Sequence, residues 1–252
     1  MKILKSFIAC FSTYSRIPMP VTSLDSDDMK YALIFFPVIG AVIGLLEYCL
    51  FIITGIYTIP KMFRVLIMAV IPLVITGGIH IDGFMDTSDA FSSYGDRDKK
   101  LAIMKDPHTG AFAVIKFAVY GLLFVAFSYL INDKSILIYS YCFVIARVLS
   151  GVSVVTIQGA KSEGMLHDMN KNTHKKSVLY TLIAIGIICL FIISQKSIVT
   201  ASLMLIASLI GYFVYRKKMI RDLGGITGDT TGYFMCIMEL TLIIISTIGG
   251  YI

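Results

Sequence analysis

A chain of 252 residues that is 57% hydrophobic and 15% charged, with a mean hydropathy of +0.83, cannot hide its apolar surface in one water-soluble core. Soluble domains carry roughly 25% charged residues, so lipid must solvate much of this chain. The net charge of +6 does not point to nucleic acid, because the basic residues lie beside apolar runs, where anionic lipid and insertion polarity account for them. The five scattered cysteines form no C-x-x-C pair and suggest neither a zinc site nor a disulfide framework.

Residues 1–20 have a basic start and a short apolar stretch without a small-residue cleavage site. This pattern predicts an interfacial segment on the membrane surface, not a signal peptide. Seven apolar runs follow, at about 31–57, 63–79, 110–131, 136–157, 177–193, 198–215 and 233–248. Each is long enough, or nearly so, to cross about 30 Å of hydrocarbon as a helix. The expected fold is all-α: a polytopic membrane helix bundle of about seven spans, forming a single integral membrane domain over residues 1–252 in contact with membrane lipid.

Connectors after the first, third and fifth runs are short; those after the second, fourth and sixth are long and polar. Sixteen Lys and Arg residues fall on the side of the N-terminus and the long loops, and four (Lys61, Arg64, Lys134, Lys196) on the other. This asymmetry predicts a cytoplasmic N-terminus and long loops, in a multi-pass protein of a prokaryotic cytoplasmic (inner) membrane.

The loop expected after the second span holds the densest chemistry. Within Gly77-Gly78-Ile79-His80-Ile81-Asp82-Gly83-Phe84-Met85-Asp86-Thr87-Ser88-Asp89, Asp82, Asp86 and Asp89 stand at i, i+4 and i+7. These positions share one face of a helix. Carboxylates so placed repel one another and call for a cation; all-oxygen ligands favour Mg²⁺ or Mn²⁺. A solvated acidic loop would place them among polar residues, whereas Ile79, Ile81, Phe84 and Met85 surround them. His80 is a candidate phosphate contact.

Downstream, Lys105 and His108 can meet phosphate oxygens, and Asp106 can join a metal or accept a hydroxyl proton. Arg147 lies inside the fourth apolar run, where a charge normally faces a partner or a cavity. Glu163 lies in the next loop. Before the last run, Gly224-Gly225-Ile226-Thr227-Gly228-Asp229 is glycine-rich enough for backbone amides, with Gly225 and Thr227 among them, to approach an anion at a helix start. Asp229 is placed to face the Asp82 cluster from across the bundle. Arg16, in Tyr14-Ser15-Arg16-Ile17-Pro18-Met19-Pro20, is a further candidate phosphate contact, and Glu47 and Glu239 are weaker candidates within spans.

These motifs, taken in order, resemble the cobalamin synthase family, the adenosylcobinamide-GDP ribazoletransferases. The resemblance runs nearly end to end. It rests on Ser15–Pro20, Phe36-Pro37-Val38-Ile39-Gly40, the G-G-x-H-x-D-G-x-x-D-x-x-D core from Gly77 to Asp89, Ile103-Met104-Lys105-Asp106 with Gly110, Ala146-Arg147, Glu163-Gly164 and Gly224–Asp229. His108 stands where the family commonly has Arg, as does Lys161, and a Gly-Leu-Gly run is missing near Glu163.

The resemblance implies a transferase that joins a GDP-activated corrinoid to α-ribazole or its 5′-phosphate, releasing GMP and completing the nucleotide loop of vitamin B12. It implies Mg²⁺ held by Asp82, Asp86 and Asp89, with Asp106 or Asp229 completing the metal shell or orienting the attacking hydroxyl. Arg16, Lys105 and Arg147 would offset phosphate charge. Two other readings explain less. A CDP-alcohol phosphotransferase would carry D-x-x-D-G-x-x-A-R, which Phe84-Met85-Asp86 breaks. An ion-coupled transporter would show repeat symmetry, and none is visible.

Overall fold

A computed structural model describes residues 2–20, 25, 28–160 and 173–251, and among these it contains ten α-helices and no strand. Helix α1 (Lys2–Tyr14) packs on a 3₁₀ helix (Asp28–Phe35) that leads into α2 (Phe36–Ile56). Next come α3 (Lys61–Thr76), α4 (Ile79–Ser92), the short α5 (Arg97–Ile103), α6 (Ala111–Tyr129), α7 (Ile136–Thr156), α8 (Lys175–Ser194), α9 (Ile198–Leu223) and α10 (Gly228–Gly249).

Six segments are long and apolar enough to cross a membrane: the 3₁₀ helix with α2, then α6, α7, α8, α9 and α10. The protein is therefore a multi-pass helical bundle. Helix α7 is its axis, with Tyr139, Phe143 and Arg147 all fully buried, whereas α6, α8 and α9 turn most of their apolar side chains outward. In the N-terminal helix Ile3 and Leu4 are exposed, while Lys5 pairs with Asp28 at 3.5 Å and Phe7 meets Phe35 edge to face.

The second expected span differs. Helix α3 has 16 residues, about 24 Å at 1.5 Å per residue, and it is followed by α4 at a bend of 95°. It still returns the chain across the bundle. Its first turn lies by the end of α6, with Lys61 over the Tyr129 ring at 4.3 Å, and its last turn accepts a hydrogen bond at Ile75 O from Arg16 N at 2.8 Å. The bend has a local cause. Gly77 and Gly78 both take left-handed backbone angles (φ 64° and 77°), which cost other residues strain. The residues expected as a polar loop after this span are instead helix α4, which turns 95° from α3 and is not itself one of the six segments long and apolar enough to cross a membrane.

The basic residues expected in a loop after the sixth span also sit elsewhere. Arg216, Lys217, Lys218 and Arg221 ride the last turns of α9, where cations offset the negative helix end.

Helices α2 and α7 meet closely through Gly40-Ala41-Val42-Ile43-Gly44. A Cβ on Gly40 would collide with the backbone of Phe143 and one on Gly44 with that of Ser140. In lipid, where apolar side chains gain nothing by leaving their solvent, such small-residue contacts drive helix association through van der Waals packing. Replacing Gly44 with Leu is expected to destabilise the detergent-solubilised protein by about 1–3 kcal/mol, read as a lowered thermal midpoint; an unchanged midpoint would refute this crossing.

Candidate active site

Two glycines join the acidic helix to the last span. On α4, a Cβ at Gly83 would stand 2.8 Å from Asp229 Cα; on α10, one at Gly232 would stand 3.1 Å from His80 O. The backbones thus touch at two levels one turn apart. Phe84 stacks on Tyr233 (centroids 5.5 Å apart), and Cys236 Sγ approaches His80 O at 3.5 Å. The close approach sets Asp229, in the first turn of α10, beside the carboxylates of α4.

The electrostatics register this grouping. Burial, with the charges of Asp82, Asp229 and Asp89 around it, pushes Asp86 up to about 6. A carboxyl surrounded by three others is harder to ionise, and a cation between them would reverse that. All the donors are oxygens, which suits a hard divalent ion. Among the described residues, no three His, Cys, Asp or Glu side chains converge to make a ready metal cluster. Mg²⁺ commonly takes only one or two carboxylates and completes its shell with substrate phosphate and water.

The array is bounded at both ends. At its start, Arg16 lies across Gly77 so tightly that a Cβ there would meet its side chain. Arg16 and Asp82 line a cavity of about 620 Å³ together with Ser12, Gly78 and Met85. At its end, Gly110 sits so close to Asp89 that a Cβ would overlap the carboxylate, which brings the 105–110 turn to the acidic helix. Within that turn Lys105, Asp106 and His108 are exposed. Asp106 accepts from His108 N at 2.9 Å and pairs with His108 Nδ1 at 2.7 Å. These bonds, both to Oδ1, hold its carboxyl below the usual range.

Cations not singled out in the sequence gather here. Lys116, on the first turns of α6, donates to Ser88 O at 3.2 Å and feels both Asp89 and Lys218. Lys218 lies over the Phe91 ring at 4.3 Å and Lys100 at 5.6 Å from the same centroid. A lysine six residues into an apolar span carried the same signal as Arg147. Lys100 and Lys218 carried none that separates them from ordinary basic anchors. Arg97, also missed, bonds Leu223 O and Ala160 O, both at 2.8 Å, and ties α5 to the segment before α10.

Other expectations need correction. In the glycine-rich segment before α10, the amides of residues 224–227 are already spent on protein acceptors. Gly224 N and Gly225 N close the end of α9 on Ile220 O and Met219 O, Ile226 N donates to Gln158 O, and Thr227 N donates to Thr230 Oγ1. Gly225 is needed because a Cβ would strike the backbone at Gln158 and Gly159. Thr227 caps α10 in a reciprocal box with Thr230. Arg147 is 1% exposed and bonds Glu239 Oε2 at 3.1 Å and Phe143 O at 2.9 Å, so its first partner is a carboxylate of α10. Its surroundings do include His80, which is buried between Tyr14 and Phe36. Glu163 and Lys161 lie outside the described residues.

Known proteins can now be set beside this geometry. The family model described as cobalamin-5-phosphate synthase matches residues 6–247. The chain belongs to this family. An adenosylcobinamide-GDP ribazoletransferase of Lachnoclostridium phytofermentans is 37% identical over 240 residues, covering 95% of this chain and 92% of the relative. Proteins of the same name from Clostridium botulinum (strain Alaska E43) and Clostridioides difficile are 28% and 29% identical, each covering at least 94% of both chains. No solved structure matches.

Two outcomes test the geometry. Gly83→Val, which forces α4 away from Asp229, is expected to lower turnover about 100-fold, as a displacement near 1 Å can, with normal membrane insertion; wild-type turnover would refute the assigned contact. Thr227→Ala is expected to cost about 1 kcal/mol of stability and to leave substrate KM values unchanged. A selective rise in one KM would return Thr227 to the binding residues.

Proposed function

We propose that the chain catalyses the reaction for which its relatives are named, transfer of the GDP-activated corrinoid to α-ribazole or its 5′-phosphate with release of GMP. The observation that carries this reading is the group of four carboxylates, from α4 and the start of α10, bounded by Arg16 at one end and by Lys116, Lys100 and Lys218 at the other. A diphosphate ester is anionic before and during reaction, so positioning and charge neutralisation dominate its chemistry.

In this reading a ribose hydroxyl of α-ribazole attacks the phosphorus that bears the corrinoid. A new P–O bond forms, the P–O–P bond breaks, and GMP carries off the electron pair. Neighbouring pairs among Asp82, Asp86 and Asp89 would hold one or two Mg²⁺, which would supply charge neutralisation at the diphosphate. Asp229, facing them across the helix contact, orients the attacking hydroxyl and accepts its proton. Arg16 and Lys116 hold phosphate oxygens from opposite ends of α4. Lys105 serves as an outer cation, and Asp106 with His108 keeps the 105–110 turn closed. The reading places the site on the cytoplasmic face of a prokaryotic inner membrane. It is supported by the sixteen-to-four distribution of basic residues and by the crowding of Lys100, Lys116 and Lys218 at the same end of the bundle as the carboxylates.

Membranes containing this protein, supplied with GDP-cobinamide, α-ribazole and Mg²⁺, are expected to form a cobalamin and release GMP. Asp82→Asn and Asp86→Asn are each expected to abolish turnover, as is chelation of the metal, while the protein still inserts. Normal GMP release by both purified variants would overturn the metal assignment, and no cobalamin product from wild-type membranes would overturn the reaction.

A further inference from the structure

On the far side of the Gly77–Gly78 bend from Arg16 lies a second cavity, of about 550 Å³, between α3, α4 and α6. Its walls are apolar: Leu66, Val70, Leu73, Phe117, Leu122 and Val125. Its floor is not. His80, Arg147 and Glu239 line it, and His80 Nε2 and Arg147 Nε are buried without a hydrogen-bond partner. His80 is 7% and Arg147 1% exposed. Thr76 and Ile81 line this cavity and also the polar one that holds Arg16 and Asp82, so the two are neighbours across a single turn of chain.

The volume falls within the roughly 300–1,000 Å³ of small-molecule sites, and apolar walls with a few convergent polar groups are their usual lining. A lipid chain would fill the walls and leave both nitrogens of the floor unpaired, which buried polar groups rarely tolerate. A corrin ring with its amide side chains, or guanine with hydrogen-bonding groups around its rim, would leave polar atoms facing Leu, Val and Phe. A fused aromatic base with apolar flanks and one ring-nitrogen acceptor fits the walls and accepts a hydrogen bond from one of the two floor nitrogens, which a lipid chain cannot do.

We propose that this cavity binds the aromatic base of the α-ribazole acceptor and so presents the attached ribose, past Ile81, to the carboxylates of α4. The assignment rests on the transferase reading for the ligand's identity. His80 is then a substrate-binding residue through its base contact, not a phosphate contact. Arg147 keeps its pair with Glu239 while Nε faces the ligand.

Gly121 stands on the α6 wall, with open space where a Cβ would be, and it takes no part in the catalytic machinery. The test measures steady-state kinetics, and equilibrium binding of α-ribazole without the second substrate, for the purified wild type, Gly121→Leu and Val125→Phe. Both variants narrow the cavity from α6. Each is expected to raise the KM and Kd for α-ribazole at least about tenfold, with kcat and the KM for GDP-cobinamide unchanged. Unchanged α-ribazole constants in an active variant would overturn the assignment. So would both KM values rising together, or a co-purifying lipid in the cavity that α-ribazole does not displace. Wild-type protein that binds α-ribazole in a Gly121-dependent way but forms no cobalamin would leave the cavity assignment standing and remove the transferase reading; product formation with a Gly121-independent KM would do the reverse.

Discussion

The contact between α4 and α10, backbone to backbone at Gly83 and Gly232, is the constraint on which the site depends. A helix with an aspartate at every turn has no reason to stay beside a membrane bundle. Its polar face favours water, and its buried face (Phe84, Thr87, Ala90) is short. Two glycines allow α10 to approach so closely that Phe84 and Tyr233 stack and many weak dispersion contacts accumulate. The same approach sets Asp229 opposite Asp82 and Asp86. Repulsion among these acids opposes the packing that holds them, a local conflict of the kind that functional sites carry and the rest of a fold offsets.

Much of this was legible in the sequence, and the reasons are specific. The apolar runs gave the spans because lipid imposes a length. The i, i+4, i+7 spacing put Asp82, Asp86 and Asp89 on one helical face. What the pattern concealed was that they occupy a true helix at all, because Gly77-Gly78 and the three aspartates read as a loop, while the partner that stabilises it, α10, lies about 150 positions on. Asp229 was expected across from the cluster, and its carboxyl does act on Asp86. The glycines near Asp229 misled for a related reason. Gly224 and Gly225 mark a tight helix end and a close approach to residues 158–160, and glycine looks the same in sequence whether its neighbour is a backbone or a phosphate. The cations at the far end of α4 were hidden because Lys100, Lys116 and Lys218 sit on three helices, and only the packing brings them to Phe91 and Asp89.

Deeper in the bundle, Arg147 and Glu239 form an ion pair that is almost wholly buried. Such a pair costs desolvation on both sides, and removing one partner costs more than the pair contributes. Here it joins α7 and α10 deep in the bundle, below the hydrogen bond that Ser150 Oγ donates to Thr231 O at 3.3 Å. Arg147 belongs to α7, Glu239 to α10, and the carbonyl of Phe143 that accepts from Arg147 is the one that Gly40 of α2 approaches. Three spans are therefore fixed around one guanidinium. Glu47 of α2 is fully buried beside it, and both its carboxyl oxygens lack a hydrogen-bond partner among the described residues.

The bend at Gly77–Gly78 gives this arrangement its polarity. On one side stand Arg16 and the first aspartate; on the other, apolar walls over His80 and the ion pair. A reaction that joins a charged diphosphate to a nucleoside with an apolar base needs two environments within a few ångströms, and no uniform pocket supplies both. Lipid supplies the apolar environment at no cost to the fold. The polar one has to be built from Arg16 after α1, Lys100 on α5, Lys116 on α6 and Lys218 on α9, each contributed by a separate segment. Their positive charge converges on α4 only when the helices are packed, so the same closure that assembles the carboxylates also assembles the charge that offsets them.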